Sequence, residues 1–206
     1  MILEEIKSAF VENKTALLLA VAIFFISLIL GFLLNPYLHD LLNPVVEDLT
    51  QKVKQGVIKL TFKSLFMNNI RIVFLMFVLG VFFCFSAAIL AFNGFFTGYY
   101  VATTDNLFES AMLIIPHGIF EFSSCIIACA AGFVLFSFLV RFLKTFIKQH
   151  DVPIREMLAI SFDASSDKLK QAIILLVVAS ILMAIAGFVE AYLTIHIAEL
   201  IMPISS

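Results

Sequence analysis

The sequence predicts an all-α fold, a polytopic transmembrane helix bundle, and three observations carry that prediction. Hydrophobic residues make up 62% of the 206 positions and charged residues only 14%, where a soluble domain has roughly 45–50% and about 25%. Mean hydropathy is +1.09. Apolar residues also gather into stretches long enough to span a hydrocarbon core about 30 Å thick, which takes roughly 20 helical residues. A net charge of -2 excludes a basic nucleic-acid binder, so the expected surroundings are lipid and no nucleic acid.

Residues 15–34 (TALLLAVAIFFISLILGFLL) form the first predicted span. The preceding flank holds Glu4, Glu5 and Glu12 against Lys7 and Lys14, and no small-residue cleavage site follows, so it reads as a retained span rather than a signal peptide. Residues 46–65 place Val46, Leu49, Val53, Val57 and Leu60 three or four apart. That spacing predicts an amphipathic helix, either lying in the interface or packed on the cytosolic side of the bundle. Residues 72–92 (IVFLMFVLGVFFCFSAAILAF) predict the second span.

Residues 94–115 are apolar at both ends, with Thr103, Thr104, Asp105, Asn106 and Glu109 between. A single crossing would put that polar middle in lipid, so the expectation is a re-entrant or interfacial helical hairpin. Residues 118–140 and 172–195 predict the remaining spans, joined by a short polar connector. Four spans place the basic residues of residues 52–71 and 141–170 on one side, and the positive-inside rule favours that count. The five-span alternative instead groups Lys7 and Lys14 with the basic residues of 141–170. All of this is expected to form one integral membrane domain, residues 1–206.

Ionisable side chains inside a span are functional-site candidates by default, and there are three: His117, Glu121 and Glu190. Glu121 precedes Arg141 by 20 residues and Glu190 follows Lys170 by 20. At about 1.5 Å per residue both carboxylates lie roughly 30 Å from the basic boundary. Asn93 ends its span near the same depth, so Asn93, His117, Glu121 and Glu190 are expected to share one polar layer beneath the hairpin. His117 and Glu121 fall on one helical face. Pro116 suits a first helical turn, so Pro116, His117 and Gly118 are expected to start the third long helix and turn free amides into that layer.

Three readings of the layer stay open. His117, Glu121 and Glu190 can ligate a divalent metal such as zinc and leave a position for water, which permits hydrolysis. They can relay an ion or proton, or they can form a hydrogen-bonded structural cluster. Cys84, Cys125 and Cys129 read as small buried apolar residues. Gly94-x-x-x-Gly98, Ala128-x-x-x-Gly132, Ala179, Ala184 and Gly187 permit close helix contact within a protomer or between two.

The ordered motifs Asn68-Asn69, NGFFTG at 93–98, PHGIFE at 116–121 and FVEAYLT at 188–194 resemble the stage II sporulation protein M family of integral membrane proteins. The resemblance covers nearly the whole chain. It implies a multi-span scaffold, often with five spans, in a family whose namesake recruits cell-wall hydrolases during engulfment. It also highlights Asn93, Pro116, His117, Gly118, Glu121 and Glu190. The expected function is thus a membrane scaffold organising cell-envelope proteins, as a homo-oligomer. The alternatives are a metal-dependent membrane enzyme and a small ion or proton transporter.

Overall fold

A computed structural model describes residues 2–55, 61–104, 106–149 and 152–194. The described residues form seven α-helices: α1 (Ile2–Glu12), α2 (Lys14–Lys54), α3 (Phe62–Leu79), α4 (Phe83–Ala102), α5 (Leu107–Ile147), α6 (Ile154–Asp163) and α7 (Ser166–Val189). A π-helical turn, Glu190–Thr194, continues α7. Five helices are long and apolar enough to cross a membrane: Lys14–Asp48, Phe62–Leu79, Phe83–Ala102, Ile114–Ile147 and Ser166–Thr194. The all-α class stands, and the described residues hold five candidate spans, by length and apolarity, where the positive-inside rule favours four.

The boundaries inside the second apolar stretch need correction. Residues 72–92 are not one span, because the chain breaks at Gly80–Phe82 and starts α4 at Phe83. Gly80 packs on Gly132 of α5 so closely that a Cβ would occupy the Gly132 backbone. Phe83 stacks on Phe133 with ring centroids 4.2 Å apart. The other end of α3 lies by the end of α7, with Phe66 Cβ 3.5 Å from the position of a Gly187 Cβ.

Helices α3 and α4 therefore form a tight hairpin whose turn docks on α5 nine residues, or about 13 Å, before Arg141. No charged residue occurs between Arg71 and Asp105, so the whole hairpin tip is apolar. The hairpin expected at 94–115 is corrected accordingly. Residues 94–102 continue α4 and residues 107–115 begin α5, which leaves the polar threonines in the turn outside both helices.

Small residues set the helix spacing. Gly94 and Gly98 of α4 press against Phe24, Ser27 and Leu28 of α2, and Gly31 of α2 presses on the Phe95 carbonyl. The Gly94-x-x-x-Gly98 pair thus serves contact within the protomer, where approach of the backbones replaces side-chain volume with dispersion contact. Ala128 and Ala179, both fully buried, do the same for α5 and α7, and Ser124 Oγ donates to the Ala179 carbonyl across that seam at 2.6 Å.

The expected interfacial helix, 46–65, is only partly described. Residues 46–54 extend α2, Thr61 caps α3 by accepting from the Ser64 amide at 3.4 Å, and residues 56–60 lie outside the described residues. The connector after α5 contains α6, whose Phe162 meets Phe138 edge-on, so it is more than a polar loop. Ile195, the expected end of the last span, also lies outside the described residues.

At the basic face, α1 is fastened to α7. Asn13 Nδ2 donates to Gln171 Oε1 at 2.8 Å, Gln171 Nε2 donates to Glu12 Oε2 at 2.7 Å, and Lys168 Nζ donates to Asn13 Oδ1 and Gln171 Oε1 at 3.1 and 2.8 Å. Lys170 pairs with Glu5 at 2.7 Å, and Arg141 pairs with Asp167 at 2.9 Å. Consecutive long helices reverse direction, so α1 and the α5–α7 connection share this face.

Candidate metal centre

Helix α5 runs unbroken from His117 past Arg141, and α7 runs unbroken from Asp167 to the π turn. Both carboxylates therefore lie about 30 Å from the basic face, as the residue rise requires. Side chains on a helix lean towards its N-terminus. Glu121 on descending α5 and Glu190 on ascending α7 consequently lean towards each other.

The result is a compact trio. One ring nitrogen of His117 and one carboxylate oxygen each from Glu121 and Glu190 lie within 4.8 Å of one another, and all three residues are half-buried. Tetrahedral ligands about 2.0–2.1 Å from zinc stand about 3.4 Å apart. The trio is thus up to about 1.4 Å wider than a closed zinc site. Imidazole nitrogen and carboxylate oxygen are both donors that zinc accepts, and catalytic zinc sites use three protein ligands and keep a fourth position for water.

The π turn is part of this geometry. Its wider winding sets Glu190 and Thr194 against α5, and Thr194 Oγ1 lies 3.4 Å from His117 Nδ1 while also donating to the Val189 carbonyl at 3.3 Å. A π turn within an α-helix is characteristic of functional sites. Contact with Thr194 orients the His117 ring and leaves Nε2 as the second ring nitrogen. Thr194 was missed as a site residue. Its signal was present: Glu190 and Thr194 are four apart, mirroring His117 and Glu121 on the facing helix.

The remaining members of the expected layer are placed differently. Asn93 Nδ2 donates to the Ile89 carbonyl of its own helix at 3.0 Å. Its side chain is thereby drawn back along α4. Pro116 does not start a helix but lies inside α5. The amides after it are helical, and the ring instead removes the N–H that the carbonyl of residue 112 would accept, one turn before the site. Gly118 is buried, and a Cβ there would crowd its own helix's Phe122 at 3.0 Å. Cys125 and Cys129 are buried free thiols in the core beneath the trio, whereas Cys84 is exposed on the outer surface of α4.

Comparison with known families decides the membership. The family model for Stage II sporulation protein M matches residues 20–195. The chain belongs to the SpoIIM family. It is also 32% identical over 146 residues to an uncharacterized protein of Methanocaldococcus jannaschii, covering 68% of this chain and 75% of that protein. No solved structure matches. SpoIIM membership and five apolar helices together make this a multi-pass membrane protein.

Proposed function

We propose that this SpoIIM-family protein is a scaffold of the cell membrane whose His117, Glu121 and Glu190 centre binds a divalent metal ion, zinc first, and thereby fixes the far ends of α5 and α7 for partner recognition. The observation that carries this reading is the convergence of three ligand atoms from two facing helices within 4.8 Å. An ion there joins elements that otherwise meet through apolar packing, the Ser124 bond, the Arg141–Asp167 pair at the basic face and the Thr194–His117 contact. Partners are cell-envelope proteins or further copies of the chain, and the family's namesake supplies the analogy for a recruiting role.

Orientation follows from charge. The face shared by α1 and the α5–α7 connection carries Lys7, Lys14, Arg141, Lys144, Lys148, Arg155, Lys168 and Lys170, against Lys52, Lys54, Lys59, Lys63 and Arg71 on the other connections. The larger basic count belongs in the cytoplasm, so the metal centre faces the opposite side. The decisive experiment is elemental analysis of protein purified without chelator or affinity metal, compared with Glu121→Gln and Glu190→Gln at matched monodispersity. Near-stoichiometric metal that both variants lose supports the reading. A well-folded native protein free of metal overturns the metal role and leaves a scaffold built on a hydrogen-bonded cluster.

A second reading is favoured by the ligand count. Three protein ligands leave one zinc position for water, and a metal-bound water has its acidity raised towards neutral pH. On that reading the protein is a metal-dependent membrane hydrolase. Hydrolysis of envelope lipids or peptides that persists in Glu190→Gln would sink it.

A further inference from the structure

The α3–α4 turn stops short of the basic face and leaves a recess between the start of α2 and the lower half of α5. It has a volume of about 510 Å³. Its walls are apolar, with Ala16 and Leu19 on one side and Phe83 and Phe133 on the other, and Glu12, Asn13, Thr15 and Lys168 line its rim. Phe136 and Ser137 line this recess and also begin an open strip along one face of α5. The strip runs through Val140 and Arg141 to Lys144 and Lys148. Recess and strip together form one shallow amphipathic depression, greasy under the hairpin and cationic at the membrane surface.

The charges facing it are asymmetric. Arg141 is held by Asp167 at 2.9 Å. Lys168 is engaged by Asn13, Gln171 and Glu12, and Glu12 is engaged by Ser8 and Gln171 as well. Lys144 and Lys148 are exposed, and no described carboxylate pairs with either. Two uncompensated cations, one helical turn apart at a bilayer interface, match the phosphate of an anionic headgroup. A zwitterionic headgroup offers no net charge to meet them. The adjoining apolar wall fits a chain rather than a free anion.

We propose that this depression is a binding site for an anionic phospholipid of the surrounding bilayer, its phosphate against Lys144 and Lys148 and one acyl chain beneath the Gly80–Phe82 turn. The lipid fills space that the short hairpin leaves open and couples the hairpin to α5. Small lateral clefts with basic rims on the cytoplasmic side are used in this way by other membrane proteins. The site is independent of the metal centre, which lies at the opposite face.

The test is thermal unfolding of the full chain in neutral detergent, titrated with phosphatidylglycerol, phosphatidylcholine or inorganic phosphate. Phosphatidylglycerol is expected to raise the midpoint saturably, with phosphatidylcholine and phosphate ineffective. Lys144→Gln with Lys148→Gln is expected to weaken the apparent affinity about thirtyfold while leaving the lipid-free midpoint unchanged, since each lysine contributes through headgroup charge. Leu19→Trp, which fills the recess from an exposed position, is expected to weaken it as well. Equal stabilisation by phosphatidylcholine, or an unchanged response in the double-lysine variant, overturns the proposal. Inorganic phosphate reproducing the shift, or Leu19→Trp binding as tightly as the native chain, overturns the lipid as occupant.

Discussion

Gly80 at the tip of the α3–α4 hairpin lies in backbone contact with Gly132 in the middle of α5, and this contact determines where the second apolar stretch folds back. Gly80 has an ordinary right-handed conformation, φ -58° and ψ -23°, so the requirement for glycine is steric. A Cβ would collide with Gly132 backbone atoms, which cannot swing aside as a side chain can. Gly80→Ala is expected to cost about 1–3 kcal/mol through displacement of the hairpin from α5. Gly187→Ala is the control, because its Cβ would meet Phe66 Cβ at 3.5 Å, an ordinary contact. Unfolding midpoints in detergent check the pair. Equal effects would mean that the Gly80 contact is not tight in the folded protein.

This relationship also explains what the sequence could and could not reveal. Residues 72–92 match the thickness of a bilayer in length and carry no charge, so nothing local distinguishes one crossing from a hairpin tip. A glycine inside a helix costs only about 1 kcal/mol relative to alanine, too little to announce a reversal. The cause lies in Gly132, 52 residues further along the chain. By contrast, the meeting of Glu121 with Glu190 was legible, because rise per residue is constant and both sit 20 residues from a basic marker. Asn93 satisfied the same depth rule, and its amide bonds the Ile89 carbonyl of its own helix. Depth fixes height along the membrane normal and leaves rotation to packing. The spacing of Glu190 and Thr194 is visible in the sequence, but the π winding that brings Thr194 to His117 has no signal of its own.

The Ser124 bond to the Ala179 carbonyl ties α5 to α7 at mid-depth, and both residues are fully buried. Ser124→Ala removes the donor but leaves an acceptor that still receives its own helical N–H. The expected loss is about 0.5–1.5 kcal/mol, within the range for interhelical hydrogen bonds in membranes. Equilibrium unfolding in mixed micelles measures it. An increase in stability would show that the hydroxyl strains the seam.

On the metal reading, a native protein loaded with zinc at 100 times its dissociation constant should gain about 2.7 kcal/mol over the chelator-treated form. Glu121→Gln is expected to lose this gain. Its metal-free form is expected to be at least as stable as the native metal-free form, because one of two neighbouring carboxylates has become neutral. Paired melting curves with zinc and with chelator check both halves. A Glu121→Gln protein that still responds to zinc like the native chain would place the ion elsewhere.

The α1 clasp predicts an acid limb. Ser8 and Gln171 donate to the Glu12 carboxylate and Lys168 lies 3.9 Å away, which together hold its pKa below the ordinary glutamate value, the Ser8 bond first. A depressed acid contributes stability that is full above its unfolded value, about 4.3, and is lost as pH falls through the folded one. Native protein should therefore loosen α1 below about pH 4.3, whereas Glu12→Gln should show a flatter response there. Proteolytic nicking within residues 2–13 as a function of pH reports the opening. Identical pH profiles would remove Glu12 from the clasp.

The alternation of helix directions makes a topological prediction that charge counting alone left divided. Helices α2, α3, α4, α5 and α7 reverse in turn, and the number of crossings between Lys7 and Thr104 is odd either way, three if the α3–α4 tip reaches the basic surface and one if it stops about 13 Å short of it. Lys7 and Ser166 must then lie on one side of the membrane and Thr104 on the other. Single cysteines at these positions, in a Cys84→Ser background with Cys125 and Cys129 left buried in the core, can be probed in intact cells with a membrane-impermeant maleimide. Thr104→Cys should label from outside, whereas Lys7→Cys and Ser166→Cys should label only after permeabilisation. Labelling of Lys7→Cys and Thr104→Cys from the same side would require an even number of crossings between them, and with it a different placement of the α3–α4 hairpin and the His117, Glu121 and Glu190 trio.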